Sequence, residues 1–252
     1  MVFHPTTPGK GPGDAPGAKA PIEAHRRGVG TPPTEPTDAH RVAIVTGGSI
    51  GAGREVAREL AGHGLAVVVH YAVDQAAAEA VVEEVLAAEG VALAVRADVA
   101  DELDVARLFT ETIEAFGAVD VVAHAASPLT LEHDDSLRVP DAPQWTDMQG
   151  AFVVNQHASS QVRPGGAIVN LCLVQRAPPP SASCAGSNGV VEVMTRSFAR
   201  EMQERDVTVN AIAFAPDDPD APVVVAAIVG FLVGRDARRV TGQVIRVDGP
   251  AA

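Results

Sequence analysis

The stretch "TGGSIGAG", Thr46 to Gly53, places glycines at 47, 51 and 53 between an apolar run and a helical pattern. Glycines there let the backbone turn tightly and approach a ligand closely. A helix that starts at such a turn offers free N–H groups and a positive dipole end to a pyrophosphate. The chemistry this spacing points to is dinucleotide binding, with Thr46, Gly47, Ser49, Ile50, Gly51 and Gly53 as the contact set.

Other reactive side chains are few. The cysteines are Cys172 and Cys184, without metal-type spacing. The runs "EHDD" (132–135) and "DDPD" (217–220) read as solvated loops, because no second ligand cluster accompanies them. No metal site is expected. Tyr71 is the only tyrosine, and lysine occurs only at Lys10 and Lys19. No Tyr-Lys pair can therefore form from the chain beyond residue 40.

The elements that must position these groups follow from periodicity. "RVAIV", "LAVVVHY", "VALAVRADV", "VDVVAHAA", "GGAIVNLC", "VTVNAIAF" and "GQVIRV" read as seven strands. Helices alternate with them. One follows the glycine loop, with Val56, Ala57, Leu60 and Ala61 on one face and Gly62 and Gly64 as its stop. Another starts from Asp74 as N-cap. A polar loop, 127–144, precedes a helix starting near Trp145, and a fifth helix spans Gly189 to Glu204. Strands apolar on both faces, alternating with helices, predict an α/β fold: a doubly wound, Rossmann-type, seven-stranded parallel sheet with helices on both faces.

Composition narrows the class. Of 252 residues, 46% are hydrophobic, enough for one sizeable core. Residues 1–40 are rich in proline and glycine and read as a flexible extension, and 41–252 read as the folded domain. A formal net charge of −13 lacks the basic footprint of nucleic-acid binding. No apolar run is long enough for a bilayer. No signal peptide is readable, so a cytoplasmic location is expected.

From Arg41 to Gly249 the chain resembles the short-chain dehydrogenase/reductase family. The family's Thr-Gly-x-x-x-Gly-x-Gly is matched by Thr46, Gly47, Gly51 and Gly53, and its adenine-contacting Asp-Val by Asp98 and Val99. "VVVHYA" and "HAAS" resemble the pteridine-reductase-like branch more than others. The resemblance implies a proton-donating tyrosine, a lysine four residues later, a serine and an asparagine. Aligned on "VVEVMTRSFARE", the tyrosine position is Cys184 and the lysine position Asn188. The serine falls at Leu173, or Cys172 under a one-residue shift, and the asparagine at Asp147. Asn-Asn-Ala-Gly reads "AHAA", Ala123 to Ala126, with Ala125 as a cofactor contact. Pro-Gly reads Phe214-Ala215, and only "PDDPDA" (216–221) stands where the family carries a long lid.

These replacements set the expectations. Losing a positioned general acid costs ~10² to 10⁴ in rate. The reading is a chain that has lost redox catalysis, with NAD(P)(H) binding weak or absent. It would instead cyclise, dehydrate or isomerise a small polyfunctional carbonyl compound in specialised metabolism, with Asp147, His124 and Cys184 as acid–base candidates. A non-catalytic partner subunit or ligand sensor, and an atypical NADP(H)-dependent oxidoreductase, are the alternatives. Cofactor choice is unreadable: His70 stands where an NAD-selecting acid would, and only Arg54 and His70 are placed to meet a 2′-phosphate. Val190, Val191, Val193, Met194 and Phe198 on the fifth helix predict a homodimer or homotetramer, or assembly with an active relative.

Overall fold

The computed structural model describes residues 41–125, 142–174, 182–215 and 217–247. The 1–40 extension, the "EHDD" run and most of the 127–144 loop lie outside the described residues. The side chains at 142–147 and 182–188 do as well.

Seven strands form the sheet: β1 (Val42–Thr46), β2 (Ala66–Tyr71), β3 (Val91–Arg96), β4 (Val119–His124), β5 (Val162–Leu173), β6 (Thr208–Phe214) and β7 (Val244–Val247). The helices are α1 (Gly51–Gly62), α2 (Gln75–Ala87), α3 (Glu102–Phe116), α4 (Ala142–Gln161), α5 (Ala182–Glu201) and α6 (Ala221–Leu232). The order is β3-β2-β1-β4-β5-β6-β7, with every pair parallel. The chain leaves β1 toward β2 on one side and returns to β4 on the other. A crevice therefore opens at the carboxyl ends of β1 and β4, where open α/β sheets bind ligands.

The core sits on both faces, as the strands' double-sided apolarity requires. On one face Val45, Val67, Val69, Val121 and Val169 pack with Val56 and Leu60 of α1 and Val225 and Val229 of α6. On the other, Ile44, Val68, Val122 and Ile168 pack with Leu108 and Phe109 of α3, Val154 of α4 and Ala199 of α5. Local signals set the helix ends. Asp74 accepts a hydrogen bond from Ala77 N at the start of α2. Asp101 does the same for Leu103 and Asp104 on α3, which ends at the left-handed Gly117.

Helix α4 begins at Ala142 rather than near Trp145 and α5 ends at Glu201 rather than Glu204, and two further boundaries differ from the sequence reading for physical reasons. Helix α5 begins at Ala182, not Gly189, so "SCAGSNG" is helical. Gly186 and Gly189 are poor helix formers and mark a stop by propensity alone; packing of α5 against α4 and β6 overrides them. Strand β5 begins at Val162, ahead of Pro164-Gly165-Gly166, which looks like a turn. There the register with β4 shifts between Val119 and Val121, and Gly165 takes φ +82°, so the segment is an irregularity within the strand.

Candidate functional site

The crevice is built around the β1–α1 turn. Gly47 and Gly51 take φ of +63° and +52°, a region that non-glycine residues rarely adopt. Gly53 is demanded by space: a Cβ there would lie 2.2 Å from Gly47 O and 3.3 Å from Ala125 Cβ. Helix α1 is thus pressed onto its own entry loop. Its N-cap, Ile50, makes no side-chain cap hydrogen bond. The first-turn N–H groups of Gly51, Ala52 and Gly53 have no partner within the helix and receive no side-chain cap, which is the donor set an anion takes.

Two histidines brace this turn from inside the sheet. His70, at the end of β2, is 1% exposed. Its Nδ1 accepts from Gly47 N at 3.0 Å, and its Nε2 lies 3.0 Å from Ala97 O. His124, at the end of β4, is also buried, with Nδ1 2.8 Å from Thr46 Oγ1. Thr46 Oγ1 also accepts from Ala125 N at 3.2 Å. Burial pushes both imidazoles down to about 4, so both are neutral at physiological pH.

The far wall follows β3. Asp98 Oδ1 accepts from Ala100 N at 3.0 Å, and Asp98 N donates to Asp104 Oδ2 at 3.0 Å. Helix α4 closes against this segment: a Cβ on Gly150 would lie 2.9 Å from Val99 Cγ2, and Gln149 Nε2 donates to Ala100 O at 3.1 Å.

The residues expected to carry chemistry are distributed accordingly. Thr46, Gly47, Gly51, Gly53, Asp98, Val99 and Ala125 lie along the carboxyl edge of the sheet. Ser49 and Ile50 sit in the loop, Ile50 exposed. His70 is not open to a 2′-phosphate, because its ring is turned under the loop. Arg54 is engaged with Glu84 of α2. Beside the end of β2 stands Arg96, the last residue of β3, whose Nε donates to Ala72 O at 3.2 Å. The backbones of Asp147, Cys184 and Asn188 lie in α4 and α5; their side chains are outside the described ones. Leu173 ends β5 beside Phe214. Cys172 is buried, and burial pushes its thiol up to about 12, which leaves it unreactive.

Sequence reasoning missed a buried polar cluster behind the crevice. Asn170, beside His124 in the β4–β5 register, exchanges two hydrogen bonds with Asn155 of α4 at 2.8 and 3.2 Å. It also donates to Thr195 Oγ1 of α5 at 3.3 Å. The signal was a single asparagine within an apolar strand and another within a helix. Among the described residues no group of three or more His, Cys, Asp or Glu is placed to hold a metal ion. No described helix is long and apolar enough to cross a membrane. A cavity of about 530 Å³ between α1, α2 and α6, lined by Glu55, Arg58, His63 and Glu84 among others, includes none of the crevice residues.

A doubly wound sheet with a glycine turn at its switch point defines a Rossmann-type fold. The family model for short chain dehydrogenase matches residues 41–221, and the chain belongs to that family. The chain is similar to 3-oxoacyl-(acyl-carrier-protein) reductase of Staphylococcus aureus: 34% identical over 239 residues, 82% of this chain and 96% of the relative. Its fold is similar to a short chain dehydrogenase from Burkholderia cenocepacia solved in complex with NADP, with TM-score 0.75, 28% identity, and 84% and 97% of the two chains covered. A metagenomic blue fluorescent protein solved with NADPH gives TM-score 0.74 at 28% identity, again covering 84% of this chain and 97% of that one.

These findings correct two expectations. The non-redox reading is overturned, because the relatives are reductases and the family is one of dehydrogenases. The expectation of weak or absent NAD(P)(H) binding is overturned as well, because neighbours of this fold were solved with NADP and NADPH. Both expectations gave the replaced side chains more weight than the intact glycine turn.

Proposed function

We propose that this chain is an NADP(H)-dependent oxidoreductase that interconverts a small carbonyl compound and its alcohol. The observation that carries the reading is the β1–α1 turn, where Gly53 leaves no room for a Cβ and α1 opens without a side-chain cap. The N–H groups of Gly51, Ala52 and Gly53 would hold the pyrophosphate, and Asp98 and Val99 the adenine. When bound, the nicotinamide supplies or accepts the hydride. The domain assigned to this function is 41–252, which 1–40 precedes.

Reduction also needs a proton at the carbonyl oxygen. The positions aligned with the family's asparagine, serine, tyrosine and lysine hold Asp147, Leu173, Cys184 and Asn188. The proton source is therefore not a tyrosine held by a lysine. Of the candidate groups Asp147, Cys184 and His124, the last is buried and neutral at physiological pH, and Asp147 is the assignment we favour, since a carboxyl in apolar surroundings can hold a proton at neutral pH. The pteridine-reductase-like stretches "VVVHYA" and "HAAS" point to a planar, polyfunctional carbonyl substrate.

Calorimetric titration with NADPH and NADH, followed by a ketone and aldehyde panel read at the nicotinamide absorbance, tests the reading. Saturable binding with turnover that falls at least tenfold in Asp147→Asn is expected. No binding of either cofactor by the folded chain overturns the function. Full turnover in Asp147→Asn overturns the proton assignment alone.

A further inference from the structure

The two walls of the crevice are joined by one side chain. Gly47 N donates to His70 Nδ1 at 3.0 Å, and Gly48 N donates to the His70 carbonyl at 3.1 Å. The first two amides of the glycine loop are therefore spent on residue 70. Across the ring, His70 Nε2 reaches Ala97 O at 3.0 Å, one residue before Asp98. The donors fix the tautomer: Nδ1 faces an N–H and must present a lone pair, so Nε2 carries the proton to Ala97 O.

We infer that His70 is a positioning residue whose neutral imidazole sets the spacing between the phosphate-binding turn and the adenine-binding segment. This rests on the reading that the chain binds a nicotinamide dinucleotide. A rigid ring suits the task because its two nitrogens face in different directions and reach both walls at once. Asparagine can offer an acceptor where Nδ1 stands but cannot reach Ala97. Glutamine can reach Ala97 but leaves Gly47 N unpaired. The buried site excludes water as a substitute, so each lost bond leaves a backbone group unsatisfied.

The test compares His70→Ala, His70→Asn and His70→Gln with Val67→Ala, a cavity in the same strand at a residue that is fully buried. NADPH affinity is measured by calorimetry below every variant's Tm, and amide exchange at Gly47 is measured without cofactor. His70→Ala is expected to weaken NADPH at least tenfold and to unprotect the Gly47 amide. His70→Asn should restore protection at Gly47 but, without the contact to Ala97 O, should still bind NADPH at least threefold more weakly than wild type, while His70→Gln should leave Gly47 unprotected and bind more weakly too. Val67→Ala should lower Tm but leave affinity within twofold. NADPH affinity within twofold of wild type in His70→Ala overturns the inference, as does an equal loss in Val67→Ala. If His70→Ala does not fold, wild-type NADPH affinity in either the Asn or the Gln variant overturns it. An unmodified chain that binds neither NADPH nor NADH overturns the functional reading and this inference together.

Discussion

The carboxamides of Asn155 and Asn170 face each other through two hydrogen bonds, joining α4 to β5 inside a fully buried setting. Asn155 Nδ2 also donates to Ala151 O at 2.7 Å, and Asn170 Nδ2 to Thr195 Oγ1. The cluster fastens to one strand the two helices that carry Asp147, Cys184 and Asn188. Removing one partner strands the other without water. Asn170→Ala is therefore expected to cost roughly 1–3 kcal/mol, read by urea denaturation. A loss below a few tenths would mean that the amides do not pair.

Gly53 and Gly62 lie in the same helix and respond differently to a methyl group. At Gly53 a Cβ meets Gly47 O at 2.2 Å, whereas at Gly62 nothing lies within 4 Å. Gly53→Ala must push α1 off the loop and should weaken NADPH binding tenfold or more. Gly62→Ala should leave binding unchanged and raise stability by up to ~1 kcal/mol through helix propensity. Calorimetry and thermal melting on the pair check both arms.

Acid should destabilise the fold before it protonates the site. His70 and His124 sit at about 4 in the folded chain, against 6.5 for a free imidazole, chiefly because burial disfavours charge. Asp98 and Asp104 oppose this at His70, and His70 adds to it at His124. Above pH 6.5 both states are neutral and the full stability is present. Between 6.5 and about 4 the unfolded chain binds protons that the folded chain does not, so stability falls with pH. Each ring accounts for roughly 3 kcal/mol across that window. Denaturation at pH 7 and pH 5 should show the loss, and His124→Phe should shrink it.

Much of this was legible in the sequence, and the reasons are physical. Strands such as "VAIVT" are apolar on both faces, which only a covered parallel sheet tolerates. Asp74 marks a helix start because a carboxylate beside free N–H groups has few other roles. The glycine turn was legible because its spacing is tied to its backbone geometry. The roles of His70 and Asn170 were not legible. Both act by pairing with groups far along the chain, Gly47 and Ala97 for the first, Asn155 and Thr195 for the second. The start of α5 was hidden because its glycines report local propensity, while docking decides the helix.

Assembly is the fourth expectation. Val193 of α5 is 65% exposed and Phe152 of α4 is 50% exposed. The Phe152 and Phe198 rings lie 6.4 Å apart, forming one apolar surface across both helices. Burying it against a second copy removes exposed aromatic area that a monomer would leave in water. Light scattering should give a dimer or tetramer, and Phe152→Glu with Val193→Glu should shift it toward monomer. A monomeric wild type at micromolar concentration would reject this.

Cofactor choice turns on which cation stands beside the end of β2. Arg54 is engaged with Glu84, and His70 is buried and neutral. Arg96 is exposed at the end of the edge strand β3, paired in register with Tyr71, and its Nε holds the Ala72 carbonyl at 3.2 Å. That contact sets its guanidinium beside the turn that follows β2. Rossmann folds read the adenosine ribose there, and an arginine nearby accommodates a 2′-phosphate. The neighbouring carboxylate of Asp74 is occupied as the N-cap of α2, accepting from Ala77 N. NADPH should therefore bind more tightly than NADH, by about tenfold for one charge-assisted contact at an exposed site. Arg96→Gln should remove most of that difference by weakening NADPH while leaving NADH within twofold. The preference should also shrink as salt rises, because an exposed pair is screened. An NADPH-to-NADH ratio that Arg96→Gln does not change would assign Arg96 to the support of the β2–α2 turn alone.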